Sequence, residues 1–424
     1  MAVLKILKGN IIYTATKEKF EIHEDSYLIE SDGLVKGIFK EIPKEYKNVE
    51  VEDFGDSLII PGFVDMHFHA PQFQNLGLGL DEELMPWLNK YTFPEEAKYG
   101  DEEYAKRLYT NVAKALWRNG TTRVVLFSTI HKNGTDVLMD VIDKSGIGAY
   151  IGKINMDRNS PDFYIEDTDE SLKVTEEWIL DTKDKYKLIK PIITPSFVPA
   201  CTEKLMKGLS DLSKKYNVKI QSHLSENEGE IEWVKDLHPE YNSYASVYDG
   251  MGLLNDNTVM AHTVHSTDEE IKLLAERGTV SAHCPNGNYN LSSGIMPVRR
   301  FLESGVKVAL GSDVGAGHQV GIYKVMSQAI EASKMNRVYV NREEKPLTTS
   351  EVFYLGTKAG GEFFGKVGSF EKGYEFDALV INDDNLGDKD FRCVEERLQR
   401  FIYIGDDRNI VRRYIAGKEV GEPK

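Results

Sequence analysis

Two histidines stand one residue apart in the apolar stretch PGFVDMHFHAPQ, Pro61 to Gln72, of a chain with only 10 histidines in 424 residues. On a strand, residues i and i+2 face one side, so His67 and His69 project together, with Asp65 below them. Such a pair offers two imidazole nitrogens to one metal ion. The same spacing also describes two polar residues at a strand end. Four more residues of suitable type follow apolar runs far along the chain. They are His223 and Glu226 in VKIQSHLSENE, His262 in VMAHTVH and Asp313 in VALGSDVGAG. A zinc or ferrous ion accepts neutral imidazole and carboxylate, and three histidines with one aspartate leave a position for water, whose pKa drops to roughly 7. Glu226, three residues past His223, is then placed to take the water's proton and pass it to substrate and leaving group. His262 would polarise that water, or orient it with Asp313. Each also has a plainer reading: His223 as a hydrogen-bonded core histidine, Glu226 as an acid at a helix start, Asp313 as a turn residue.

Whether these residues meet depends on the elements that carry them. Apolar runs of strand character occur at SLIIPGFVDMHFH, TTRVVLFST, IGAYIGKINM, LIKPIITPSF, VKIQSHLS, NTVMAHTV, GTVSAHCPN and VKVALGSDVG. Helical patterns such as EEYAKRLYTNVAKALWRNG and DESLKVTEEWILDTKDKYK lie between them, with Asp or Thr near the start and Gly near several ends. Eight strand–helix units predict an α/β fold, a (β/α)8 TIM-like barrel, whose chemistry sits at the C-terminal ends of the strands. His67 and His69 end the first strand, His223 the fifth, His262 the sixth and Asp313 the eighth, so one rim gathers them. His131 ends the second strand as a pocket-lining candidate, and His283 ends the seventh with a structural role equally open. His265 and His318 fall in flanking loops, and His23 and His238 read as surface residues. Both chain ends alternate apolar and polar residues with Gly and Asp-Gly turns, beginning with VLKILKGNIIYTA. They predict one small β-sandwich domain made of residues 1–60 and 367–424, around a barrel of residues 61–366.

Composition narrows the partners. A net charge of −16 repels polyanions, which argues against nucleic acid polymers and anionic membrane surfaces but not against a small neutral base. Cys201, Cys284 and Cys393 are too few and too scattered for a disulfide framework or a C-x-x-C zinc site. With no signal-like N-terminus and no run of ~18 apolar residues, a soluble cytoplasmic protein is expected.

From about Asn10 onward the chain resembles the amidohydrolase superfamily of metal-dependent hydrolases, and within it the guanine deaminases. The resemblance rests on PGFVDMHFHAPQ, PWLNKYTFPEE, NGTT, IQSHLSENEGEI, TVMAHTVH, AHCPNGNYNLSSG, LGSDVGAG, GSFEKGYEFDALVIN and YIGDDRNI. It implies one zinc per chain, with Fe2+ as the other candidate, held by His67, His69, His223 and Asp313. It implies Glu226 as proton shuttle and His262 as a hydrogen-bonding partner near the attacked carbon. Gln72 would read the purine edge and Phe197 would stack on the ring. The implied reaction is hydrolysis of guanine to xanthine and ammonia by a zinc-activated water, in a homodimer. One position departs from the pattern: Ser196, in TPSFVPAC, stands where the family carries an arginine that grips the base's carbonyl edge. A charged hydrogen bond lost there costs about 1.5–3 kcal/mol. Another donor, a water or a different base must compensate. The alternatives are a deaminase of cytosine, a pterin or a triazine, a binuclear amidohydrolase using Lys153, expected mid-strand in YIGKINM, and a catalytically silent scaffold.

Overall fold

A computed structural model of the chain describes residues 4–424. Val3, where the first predicted strand begins, lies outside the described residues. The N-terminal segment forms β1 (Leu4–Thr16), β2 (Lys19–Ser31), β3 (Leu34–Phe39) and β4 (Val51–Pro61). The central segment carries β5 (Phe63–His69), β6 (Thr121–Phe127), β7 (Gly148–Gly152), β8 (Ile154–Asn155), β9 (Ile189–Pro191) and β10 (Thr194–Pro195). It continues with β11 (Ile220–Leu224), β12 (Thr258–His262), β13 (Val280–His283) and β14 (Lys307–Leu310). The C-terminal segment adds β15 (Ala378–Ile381), β16 (Ile410–Ile415) and β17 (Lys418–Glu419).

All eight predicted central runs hold strand, paired in parallel as β5-β6-β7-β9 and β11-β12-β13-β14, with β8 and β10 as a short parallel pair. Two runs are broken. Lys153 separates β7 from β8, and Ile192 and Ile193 separate β9 from β10. Lys153 is therefore not mid-strand; its buried ammonium reaches the Ile154 carbonyl (3.1 Å) and Glu166 (2.5 Å) instead. The two sheets meet through main-chain bonds. Ile193 N–H donates to the Lys219 carbonyl (2.8 Å) and Gln221 N–H to the Ile193 carbonyl (2.9 Å). At the other seam Asp313 N–H donates to the His67 carbonyl (2.8 Å) and His69 N–H to the Val314 carbonyl (2.6 Å). Val64, Met66, Val125, Ile192, Val259, Ala282 and Ala309 form one buried apolar cluster contributed by both sheets.

Helices follow the predicted signals. Asp101 caps the helix Glu102–Arg118 by accepting from Glu103 and Tyr104 N–H, and Gly120 beyond its end has φ +74°. The run SLIIPGFVDMHFH divides at Gly62 between β4 and β5. A Cβ at Gly62 would collide with the Thr122 side chain, so only glycine allows this crossing.

Both chain ends join a single seven-stranded sheet, ordered β17-β16-β15-β4-β1-β2-β3. Its alternation divides its two faces. Leu7, Ile59, Ala378 and Val380 pack into a local cluster with Phe370, Phe376 and Tyr414, while Leu58, Ile60, Leu379 and Ile381 pack into the central core. Arg123 on β6 clamps this sheet to the central strands, bonded to Glu375 (2.7 Å) and Asp377 (3.1 Å).

Candidate active site

The strand ends deliver their side chains to one place. His67 Nε2 lies 3.1 Å from His69 Nε2, and His69 Nε2 lies 3.2 Å from His223 Nε2. Asp313 Oδ1 is 3.3 Å from His67 Nε2 and 3.8 Å from His69 Nε2. His262 Nε2 stands beside them, 3.6 Å from Glu226 Oε2. All six residues expected at one rim are therefore together, although they come from four strands.

Local structure explains the convergence. Asp65 accepts from His67 N–H (3.2 Å), Ser312 N–H (3.0 Å) and Ser312 Oγ–H (2.6 Å), which ties the His67 backbone to the turn carrying Asp313. Ser225, His262, Thr263 and Asp313 all have positive φ, between 49° and 73°. Non-glycine residues in that region carry strain of order 1 kcal/mol or more each, and here they turn the chain sharply where strands end at the site. Gly287 is required by close approach, since a Cβ there would collide with Asp313 Oδ2.

The donor set fits one divalent cation. His223 Nδ1 donates to the Ser196 carbonyl (2.6 Å), so its Nε2 presents a lone pair to the other imidazoles. Burial pushes His67, His69 and His223 well below the ordinary histidine range, so all three stay neutral. Asp313 Oδ2 and His69 Nδ1 are buried without a hydrogen-bond partner. Ligand atoms about 2.0–2.1 Å from a tetrahedral zinc lie about 3.3 Å from each other, close to the separations seen here. His67, His69 and Asp313 form one candidate ligand group, and His67, His223 and His262 an overlapping one.

Four acid side chains line a pocket that is otherwise largely apolar. Burial, with the Asp313 charge adding to it, raises the Glu226 carboxyl to about 8, against a hydrogen bond from Ser293 Oγ (3.3 Å). Burial raises Asp313 to about 6 and Glu230 to about 7. Gln72, Ser196 and Phe197 line the same pocket as His69, His223, Glu226, His262 and Asp313. The Phe197 ring meets Trp233 edge-on.

The other histidines lie outside this pocket. His131 is outside this pocket and bonds the Ala97 carbonyl through Nε2 (3.2 Å). His283 is buried on β13, pushed down to about 3 by burial, and outside the candidate ligand groups. His265 bonds the Ser293 carbonyl (2.6 Å), and His318 the Asn290 amide (3.1 Å). His23 is half-buried, stacked on Tyr13. His238 is not a surface residue; it is buried, and its Nε2 accepts from Arg158 (2.9 Å). That bond leaves the Nδ1 proton facing Glu203 and Glu240, so this second acidic cluster offers no free imidazole lone pair.

Sequence reasoning missed Glu96 and Glu230, both buried and lining the pocket. Glu230 accepts from Glu226 N–H (3.0 Å), Asn227 N–H (3.3 Å) and Tyr244 Oη–H (2.6 Å), so it holds the turn that presents Glu226. Its signal was the N-x-x-E capping spacing Asn227 to Glu230. Glu96 lay in the quoted PWLNKYTFPEE, beside a second acid, Glu95.

The chain belongs to the amidohydrolase family, whose model matches residues 58–420. Its full-length relatives are narrower in kind. It is 40% identical to a guanine deaminase of Dictyostelium discoideum over 99% of this chain and 98% of that one, and 33% identical to one of Escherichia coli over 88% and 85%. It superposes with a TM-score of 0.97 on a crystal structure of guanine deaminase from C. acetobutylicum with bound guanine in the active site. That protein is 52% identical, over 99% of this chain and 100% of the other.

Proposed function

We propose that this protein hydrolyses guanine to xanthine and ammonia. The observation that carries the substrate is the likeness, along essentially the whole chain, to a guanine-bound deaminase at 52% identity. The observation that carries the chemistry is the meeting of three imidazole nitrogens, one aspartate and a proton-carrying glutamate in one pocket.

His67, His69, His223 and Asp313 are the residues to hold a single cation, zinc or ferrous iron. When bound, it supplies a water activated near neutral pH. Glu226 moves the protons. A carboxylate takes one proton from the water and gives it to a ring nitrogen, then takes the second from the hydroxyl now on the carbon and gives it to the exocyclic amine, so that the carbonyl forms as ammonia, rather than an amide ion, departs. His262 orients the reacting centre from 3.6 Å beyond Glu226 Oε2. Gln72 reads the purine edge, Phe197 covers a ring face, and Ser196 shapes the wall while its carbonyl fixes the His223 tautomer.

The seams at Ile193–Ile220 and His67–Asp313 support closure of the eight central runs into a (β/α)8 barrel. Segment 61–366 would be that barrel, and 1–60 with 367–424 a sandwich-like β domain around the seven-stranded sheet. A homodimer and a cytoplasmic location complete the reading. Among the described residues no helix is long and apolar enough to cross a membrane. A binuclear site is disfavoured by Lys153, whose ammonium is paired with Glu166.

The test is ammonia release from a panel of guanine, cytosine, a pterin and an aminotriazine by protein loaded with zinc or iron. Guanine should turn over fastest, with one metal per chain. Faster turnover of another base, for which the short Ser196 leaves room, would reassign the substrate.

A further inference from the structure

Among the described residues lining the pocket there are four carboxyls, Glu96, Glu226, Glu230 and Asp313, and no arginine or lysine. A base bound there is oriented by neutral and acidic groups alone. Gln72 is such a group, and its amide is not free to turn. Its Nε2 donates to Glu96 Oε1 (2.8 Å), and its Oε1 accepts from Gly315 N–H (3.3 Å). A carboxylate oxygen accepts and a backbone N–H donates, so both ends of the amide agree on one orientation.

Glu96 is itself held rigidly. Tyr164 Oη–H donates to its Oε2 (2.8 Å), and Thr129 Oγ1 donates to its carbonyl (3.1 Å). Tyr164 is anchored in turn by Ile130 N–H, which donates to its Oη (3.3 Å). The acid is buried, and among the described residues no cation is bonded to it. A buried acid without a cation weakens a fold, but an apolar side chain in its place would leave the Gln72 amide free to flip.

What remains of Gln72 for a ligand is one N–H on Nε2 and one lone pair on Oε1, in fixed order. That order suits a base edge on which an acceptor adjoins a donor, as guanine has at O6 with N1–H and at N3 with N9–H. We propose that Glu96 is a specificity-determining positioning residue, which fixes the Gln72 amide and with it the order of donor and acceptor read on the bound base. The inference rests on reading the site as that of a base deaminase.

The experiment compares the wild type with Glu96→Gln, Tyr164→Phe and the exchange Gln72→Glu with Glu96→Gln. Steady-state ammonia release from guanine gives KM and kcat, and calorimetry gives the Kd of xanthine, which needs no turnover. Glu96→Gln should raise guanine KM and xanthine Kd about tenfold, with kcat within about threefold, as expected for loss of one oriented hydrogen bond. Tyr164→Phe should raise KM about threefold, and it carries the test if Glu96→Gln does not fold. The exchange should recover the wild-type Tm by restoring the 72–96 hydrogen bond, yet keep a high KM, because a glutamate at 72 presents acceptors only. Unchanged KM and Kd in Glu96→Gln, or an exchange that restores KM together with Tm, overturns the proposal. A wild type that binds xanthine but releases no ammonia refutes the deaminase reading while the Kd comparison still decides on Glu96. A wild type that binds no purine overturns both.

Discussion

Replacing Glu226 by glutamine removes the proton carrier and leaves its shape. The side chain is buried, 3.6 Å from His262 Nε2 and bonded to Ser293 Oγ at 3.3 Å, and an amide fits the same space. General acid–base transfer contributes ~10²–10⁴-fold, and here one carboxyl serves two proton deliveries. A fall in kcat of about 10³–10⁴-fold is expected, or about 4–5.5 kcal/mol of barrier. The cation should stay bound, because Glu226 lies outside both candidate ligand groups at this site. Unfolding cannot account for the loss. Folding raises the Glu226 pKa from 4.5 to about 8, so the unfolded state ionises more readily, and the penalty on the native state grows from about pH 4.5 and levels off above about pH 8. Glutamine carries no such penalty, so the metal-free variant should be more stable than the wild type at pH 8, on the order of 3–5 kcal/mol at most, with the difference vanishing near pH 4. The assays are coupled ammonia release, metal content by mass spectrometry, and thermal melts at pH 4, 6 and 8. A kcat within tenfold of wild type, with metal retained, refutes the assignment of Glu226 as proton carrier.

His69→Ala should cut metal affinity at least 100-fold, and chelation of the wild type should remove both activity and the stabilisation that bound metal confers, about 2.7 kcal/mol at a hundredfold excess over Kd. Metal titration followed by Tm reads both. Arg123→Met should cost about 3–5 kcal/mol in urea unfolding, because it leaves buried Asp377 facing Glu375 without its cation. Gly287→Ala should weaken metal binding more than it weakens the fold, since the added methyl displaces the Asp313 carboxylate; equal metal content in variant and wild type would contradict that.

Much of the arrangement was readable along the chain. The eight central strand runs, the helix capped by Asp101 and the placing of His67, His69, His223, His262 and Asp313 near strand ends all follow from local periodicity and turn chemistry. The errors share one cause. Lys153 left its strand because a buried ammonium needed Glu166, thirteen residues on. His238 looked exposed because its segment is polar, yet Arg158, eighty residues away, gives it a buried partner. Glu96 went unassigned because an acid in a short motif carries no mark of what it will bond, and Glu230 because its capping spacing marks the bond to Asn227 N–H but not those to Glu226 N–H and Tyr244.

By itself, then, the sequence determined which residue types stand at which strand ends, because side-chain alternation repeats every two residues and needs no distant partner. Only the tertiary structure decided which polar groups share a proton, a cation or a hydrogen bond. Asp65 meets Ser312, His223 meets the Ser196 carbonyl and Gln72 meets Glu96 across 247, 27 and 24 residues. Those pairings arise because burial strips such groups of water and each must then find its partner among whatever the packing brings within about 3 Å.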